Sequence, residues 1–172
     1  MFMKYYLEQS SPLGNLTLCS DGENITELEI GRLKRDGISG IYGTEAEKIP
    51  VLHKAAKWLR IYFQGGEPAF SIPCRPEGTA FQKRVWKQIS RVPYGQMITY
   101  GSIAERLNKE DREHRTSPRA VGQAVGRNPI PIFIPCHRII GAGGRLTGYS
   151  GGIDKKIKLL AVEGIPAEKM HL

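Results

Sequence analysis

Apolar positions along this chain change period partway through. Leu16 and Leu18 alternate with polar neighbours, Asp21-Gly22 offers a turn, and Ile25, Leu28 and Ile30 resume beyond it. That two-residue period predicts an antiparallel β unit. Residues 31–48 are rich in glycine and charge and read as an irregular connection. Val51, Leu52, Ala55, Ala56, Leu59, Tyr62 and Phe63 then recur at helical spacing, and Gly65-Gly66 stops the helix. Phe70 and Ile72 suggest one more strand, and residues 73–78 read as a linker.

Beyond the linker the pattern is helical. Thr79-Ala80-Phe81-Gln82 is a capping box opening a helix with Phe81, Val85 and Ile89 on one face. Val92-Pro93-Tyr94-Gly95 breaks it, and Thr99 caps a second helix with Ile103, Ala104 and Leu107 inward. Residues 108–116 form a charged, solvated connection. Ser117 then caps and Pro118 starts a helix to Arg127. Two short helices joined by a turn suggest a helix-turn-helix. A last helix runs from Ile153 to Glu163, with Ile157, Leu160 and Ala161 inward and Gly164 as its stop. The expected class is α+β: an N-terminal α/β domain over 1–76 with a small antiparallel sheet and a helix, and a helical C-terminal domain over 77–172.

Charge sharpens this division. Of 25 Lys/Arg and 17 Asp/Glu, residues 82–145 hold twelve and four, so the whole net charge of +8 lies there. A confined basic surplus favours a polyanionic partner, most simply nucleic acid, although an ordinary solvated basic face gives the same count. No run of about 18 apolar residues exists, and the N-terminal residues lack the long apolar stretch and cleavage site of a signal peptide. Cys19, Cys74 and Cys136 are an odd, sparse set that fits a reducing compartment. With no C-x-x-C and four scattered histidines, no metal site is expected.

One cysteine stands apart. In Asn128-Pro129-Ile130-Pro131-Ile132-Phe133-Ile134-Pro135-Cys136-His137-Arg138, three prolines hold an apolar run straight before a Cys-His-Arg sequence. Free cysteine is normally a small, inert hydrophobe. It becomes a nucleophile as a thiolate, beside positive charge, a histidine or a helix N-terminus. Here His137 and Arg138 follow at once, and Pro135 suits the first turn of a short helix. A second oddity lies upstream. Gly122 and Gly126 share one helix face, at roughly 1 kcal/mol each against alanine. Either another helix packs closely there, or something outside the chain does.

Pro135-Cys136-His137-Arg138-Ile139-Ile140 resembles the active-site signature of the O6-alkylguanine-DNA alkyltransferases, the methylated-DNA–protein-cysteine methyltransferase family. Thr99-Tyr100-Gly101, Arg119-Ala120-Val121-Gly122, Asn128-Pro129-Ile130-Pro131, Gly148-Tyr149-Ser150-Gly151-Gly152 and Glu163-Gly164 resemble further blocks, in family order, over roughly residues 78–166. Ser11-Pro12-Leu13-Gly14 is a weaker match. The connection at 108–116 is longer than the resemblance leads one to expect.

The resemblance implies a ribonuclease H-like N-terminal domain and a winged-helix-like C-terminal domain whose helix-turn-helix enters the minor groove. It implies single-turnover repair: Cys136 takes the alkyl group from O6-alkylguanine, and from O4-alkylthymine, irreversibly and without a cofactor. His137 would take the thiol proton through a water, and Glu163 would orient the imidazole. Asn128 would hold the turn, and Tyr100 would face N3 of the base. Ser150 would face O6, with Tyr149, Gly151 and Pro131 lining the pocket. A base inside a duplex is beyond reach of the thiol, so the nucleotide must be flipped out. Arg119 would fill its place in the stack, with Thr99, Ala120, Gly122 and Arg127 along the DNA. The expected partner is double-stranded DNA carrying alkylated guanine, met by a monomer in the cytoplasm, or in the nucleus of a eukaryote, with no membrane association. The rival readings are a non-catalytic sensor of alkylated bases, a helix-turn-helix regulator, and a Cys-His hydrolase.

Overall fold

Leu16, Leu18 and Ile25 are fully buried in strands β2 (Gly14–Ser20) and β3 (Ile25–Ile30), which pair antiparallel with Leu18 opposite Leu28. The computed structural model describes residues 3–31 and 39–171 and divides into two compact units, Met1–Glu77 and Gly78–Leu172. The first unit has a strand that the periodicity did not reveal, β1 (Tyr5–Ser11), antiparallel to β2. Its outer half, Glu8-Gln9-Ser10-Ser11, is polar and carries no alternation. Pairing alone makes it a strand. The Ser11 hydroxyl fixes the hairpin by accepting the Leu13 N–H at 3.1 Å and donating to the Gly14 carbonyl at 2.7 Å.

The connection expected over 31–48 is partly regular. β4 (Ile41–Tyr42) lies parallel to β1, giving the sheet order β3-β2-β1-β4, and α1 spans Thr44–Glu47. The Tyr42 ring stacks on Tyr6 with centroids 4.8 Å apart. Residues 32–38 of this connection lie outside the described residues. α2 (Pro50–Phe63) starts with proline in its first turn, where a missing N–H costs nothing. It buries the expected apolar stripe, save that Phe63 is half-buried. Gly65 (φ 80°) and Gly66 close it by donating to the Tyr62 and Ile61 carbonyls. Phe70 and Ile72 form no strand. The chain instead makes a single bridge at Cys74, where the Ile25 N–H donates to the Pro73 carbonyl at 2.9 Å and the Ile25 carbonyl accepts the Arg75 N–H at 2.8 Å, across the edge of β3.

In the second unit, α3 (Ala80–Ile89) opens on the capping box: Thr79 Oγ1 accepts the Gln82 N–H at 3.2 Å and Gln82 Oε1 accepts the Thr79 N–H at 2.9 Å. Its main core residue is Trp86, 2% exposed, whose indole N–H donates to the Ala124 carbonyl at 2.8 Å. Phe81 is only half-buried. Ala124 belongs to α5 (Pro118–Gly126), so this bond ties α3 to the second helix of the helix-turn-helix. α4 (Tyr100–Glu110) is capped by Thr99 and α5 by Ser117. Because α4 continues to Glu110, the charged connection begins at 111, not 108.

A two-residue parallel ladder, β5 (Ile98–Thr99) with β6 (Ile139–Ile140), brings the start of α4 beside a 3-10 turn at Cys136–Arg138. α6 (Ile153–Val162) covers this ladder through Leu160, which clusters with Ile140, Leu146 and Ile165. Ala161, expected inward, is exposed. Lys156 is buried in its stead, at 0% exposure.

Candidate active site

The chain before Cys136 is not straight. It doubles back between Ile130 and Ile134, where the Ile134 N–H donates to the Ile130 carbonyl at 3.0 Å. Ile132 takes φ 74°, the only positive φ of a non-glycine among the described residues, and is 1% exposed. A β-branched residue in the left-handed region is strained. What holds it there is Asn128, whose Nδ2 donates to the Ile134 carbonyl at 2.8 Å and whose Oδ1 accepts the Ile130 N–H at 3.0 Å. The prolines remove donors that such a turn has no use for, and Pro131 is buried inside it. The turn delivers Cys136 to the first position of its 3-10 turn.

Three buried side chains follow from that placement. His137 Nε2 lies 2.6 Å from Glu163 Oε1, with both side chains at 0% exposure. Glu163 caps the C-terminus of α6, where an anion is disfavoured. It is buried and strongly partnered rather than a solvated terminal acid. Burial alone would raise its carboxyl, but His137 and Arg138 outweigh that and hold it at about 2. Arg138 donates from Nε to Glu163 Oε2 at 2.9 Å and from Nη2 to Oε1 at 3.0 Å, and from Nη1 to the Val92 carbonyl at 2.6 Å. The Gly95 N–H donates to Glu163 Oε2 at 3.0 Å. Arg138 is therefore committed to the carboxylate, not to the thiol as its place after Cys-His suggested. Burial lowers His137 below its ordinary value despite Glu163, so the resting imidazole is neutral.

The cation acting on the thiol is Lys156. Its Nζ donates to the Ile139 carbonyl at 2.6 Å and the Thr147 carbonyl at 3.2 Å. Burial brings its pKa down to about 8, against the pull of Cys136. A lysine on a helix reads as solvated, and sequence reasoning passed over it. The one signal was its place in the expected inward face, one residue before Ile157. Cys136 is 4% exposed, and burial raises its thiol, against Asn128, Lys156, its own backbone N–H and Tyr149. The resting thiol is neutral.

Tyr149 and Tyr100 approach the same sulfur. The Tyr149 hydroxyl is buried beside Cys136 and makes no hydrogen bond of full geometry among the described residues. Burial and the neighbouring sulfur push its ionisation well up. The half-buried Tyr100 hydroxyl accepts from Thr147 Oγ1 at 3.0 Å. Ser150 is exposed and Gly151 half-buried, before Gly152 (φ 97°) at the head of α6. The structure thus brings together Cys136, His137, Glu163, Asn128, Tyr100 and Tyr149, and leaves Ser150 at the surface.

The other expected residues lie along α5. Arg119 and Arg127 are exposed and Ala120 is half-buried. Thr99 is spent on the α4 cap, accepting the Ser102 N–H at 3.0 Å. A methyl at Gly122 would meet only the Tyr100 ring, at an ordinary 3.7 Å, and one at Gly126 would meet nothing within 4 Å. Packing within this unit therefore requires neither glycine. A groove of about 650 Å³ runs beside this helix, lined by Gln82, Ala120, Gln123, Gly126 and Arg127 among others.

A buried thiol beside a His-Glu pair, in one unit with a helix-turn-helix, suits thiol-dependent group transfer on a nucleic acid. Comparison with known proteins agrees. The model of the 6-O-methylguanine DNA methyltransferase ribonuclease-like domain matches residues 1–76, and that of its DNA binding domain matches residues 80–165. The methylated-DNA–protein-cysteine methyltransferase of Haemophilus influenzae is 42% identical over 163 residues, covering 94% of this chain and 87% of its own. The constitutive one of Bacillus subtilis is 38% identical over 165 residues, covering 95% and 97%. Among solved structures, Mycobacterium tuberculosis O6-methylguanine methyltransferase superposes with TM-score 0.79 at 38% identity, over 94% of this chain and 93% of that one. Mycobacterium tuberculosis OGT in complex with DNA gives TM-score 0.80 at 36% identity, over 97% and 95%. The chain belongs to the methylated-DNA–protein-cysteine methyltransferase family.

Proposed function

We propose that this protein repairs DNA by moving the alkyl group of O6-alkylguanine onto Cys136, once per molecule. The observation that carries the reading is that Cys136 is buried in the chain directly before His137, Glu163 and Arg138, three buried side chains joined by hydrogen bonds. The sulfur attacks the alkyl carbon, a carbon–sulfur bond forms, and the carbon–oxygen bond breaks with its electron pair left on guanine. The thiol proton passes to the imidazole. With Nε2 fixed on Glu163, Nδ1 is the nitrogen that receives it, and the ionised carboxylate stabilises the imidazolium. Guanine leaves as an anion and is protonated, with Tyr100 positioned to donate toward it. A thioether is not reversed by any group here, so turnover is single.

The resting thiol is covered and neutral, which suits a reagent that must not be wasted on other electrophiles. A flipped base reaches it once the wall at Tyr149, Ser150 and Gly151 gives way. DNA is bound by α5 in the minor groove, and Arg119 stands in for the extruded nucleotide. The protein acts as a cytoplasmic monomer on duplex DNA carrying alkylated guanine, with O4-alkylthymine as a second substrate. Intact mass after exposure to O6-methylguanine duplex tests the reading. One methyl in place of the thiol hydrogen, mapped to Cys136 and lost in Cys136→Ala, is expected. An unmodified protein, or a methyl on Cys19 or Cys74, would overturn it.

A further inference from the structure

The connection between α4 and α5 is charged but not slack. Asn108 closes it from the end of α4: Nδ2 donates to the Thr116 carbonyl at 3.0 Å, and Oδ1 accepts the Thr116 N–H at 2.7 Å. Asp111 orders its interior. Oδ1 accepts the N–H groups of Glu113 at 3.2 Å and His114 at 3.0 Å, and Oδ2 pairs with Arg84 of α3 at 3.1 Å. Hydrogen bonds from the His114 backbone N–H and ring, with the Arg84 charge, keep the Asp111 carboxyl below its ordinary value. The residue is therefore a firm anion throughout the neutral range.

The arrangement sorts charge by direction. Glu110 turns back to α3, accepting from Gln88 Nε2 at 2.7 Å and pairing with Arg91 at 3.4 Å. Asp111 is likewise spent inward. Arg112 and Arg115 are exposed and meet no acid within salt-bridge distance among the described residues, and Glu113 is the one outward acid. The turn feeds directly into Ser117-Pro118-Arg119, the start of α5. Two arginines are thus carried on a turn of ordered backbone, just before the residue proposed to occupy the vacated stack.

We propose that this turn is a second phosphate-binding element, in which Arg112 and Arg115 grip the DNA backbone beside the point of extrusion. The inference rests on the DNA-repair reading above. Guanidinium groups match phosphate oxygens bidentately. The backbone under them is already ordered, so binding has only side chains left to fix. Flipping strains the phosphates next to the target nucleotide, and cations placed there hold the strained backbone. A second contact region also lets α5 stay thin, since its small-residue face need not supply all the affinity.

The test is anisotropy titration of the full-length protein with an undamaged duplex across a salt series. The Arg112→Ala/Arg115→Ala double variant is expected to bind roughly tenfold more weakly, with a log K against log salt slope smaller by about 1.8, because each phosphate neutralised contributes about 0.9. Transfer from free O6-methylguanine base should be unchanged. Asp111→Ala separates ordered presentation from bulk charge. Removing an acid tightens binding if only charge counts, whereas loosening the turn weakens it if order counts, and weakening is expected. An unchanged slope in the double variant, or tighter binding by Asp111→Ala, would overturn the inference. Wild-type protein that forms no methylated Cys136 would overturn the repair reading instead, and the salt slopes would still judge the turn.

Discussion

Glu163 Oε1 stands 2.6 Å from His137 Nε2 while Arg138 clamps the same carboxylate from the other side. In the proposed mechanism the carboxylate is thus shared between a base that gains a proton and a cation that never loses one. Arg138 keeps Glu163 ionised and in place before the imidazole is charged, so stabilisation is ready when the proton arrives. Glu163→Gln retains shape but loses the charge, and leaves Arg138 buried against a neutral group. Transfer should slow on both duplex DNA and free O6-methylguanine base, by a similar factor of roughly a hundredfold, as for loss of a general-base partner. Single-turnover rates on both substrates check this. A loss confined to duplex would place Glu163 in DNA binding rather than in chemistry.

The same pair sets the acid limit of stability. His137 titrates below its ordinary 6.5 when folded, and Glu163 at about 2 against an ordinary 4.5. In each case the unfolded chain binds protons first, so both contributions are complete above the ordinary value and are lost as pH falls. Stability should therefore decline below about pH 6.5 through His137, and again below about 4.5 through Glu163. Urea midpoints measured from pH 8 to pH 3 for wild type and His137→Gln resolve the two steps. Retention of the upper step in His137→Gln would assign it elsewhere.

Much of this architecture was legible beforehand because it is local. The capping box at Thr79 and Gln82, the caps at Thr99 and Ser117, and the glycine stops after α2 and α6 are short-range hydrogen bonding written in neighbouring residues. The features that were not legible depend on distant partners. β1 is a strand because β2 lies beside it. The run of prolines reads as extended, yet the Asn128 side chain folds it into a turn with bonds to Ile130 and Ile134. Arg138 reads as a cation for the thiol, yet Glu163, 25 residues later, claims it. The deepest miss is Lys156, because nothing near it in the chain says that its amine will meet two carbonyls in a dry site.

Lys156 joins the strand after Cys136, through Ile139, to the loop that carries Tyr149, through Thr147. It also supplies the positive charge that opposes the burial of Cys136. It is expected to act on the reaction through these groups, as a positioning residue. Lys156→Met keeps the length and apolar stem and removes the charge. The pH profile of transfer from free base, and of iodoacetamide alkylation of Cys136, should both move to higher pH, with transfer at neutral pH slowed about tenfold for each 1.4 kcal/mol of lost thiolate stabilisation. A residue that merely fills space would leave the profiles in place and alter only thermal stability.

Gly122 offers a test with opposing signs. Alanine there removes a helix-interior glycine and meets only the Tyr100 ring at 3.7 Å, so the protein should gain about 1 kcal/mol of stability. In the proposed binding mode the added methyl thickens a face that fits the narrower groove. Duplex affinity should fall several-fold while transfer from free base is retained. Thermal melts and anisotropy titration together decide it. A variant that is more stable and binds duplex undiminished would show that this face does not enter the groove.

Arg119 separates extrusion from chemistry. It is exposed in the first turn of α5, two residues after the Ser117 cap. In the role proposed for it, its side chain contributes only where a nucleotide has left the stack, a process costing a few kcal/mol. Since about 1.4 kcal/mol is tenfold in rate, Arg119→Ala should slow repair of duplex O6-methylguanine by one to two powers of ten. Transfer from the free base should stay at the wild-type rate, because a free base needs no extrusion. A mismatched or single-stranded target should fall between, since less stacking is given up. Single-turnover rates on the three substrates are the measurement. Equal losses on duplex and free base would mean that Arg119 supports the fold, and that another residue fills the vacated stack.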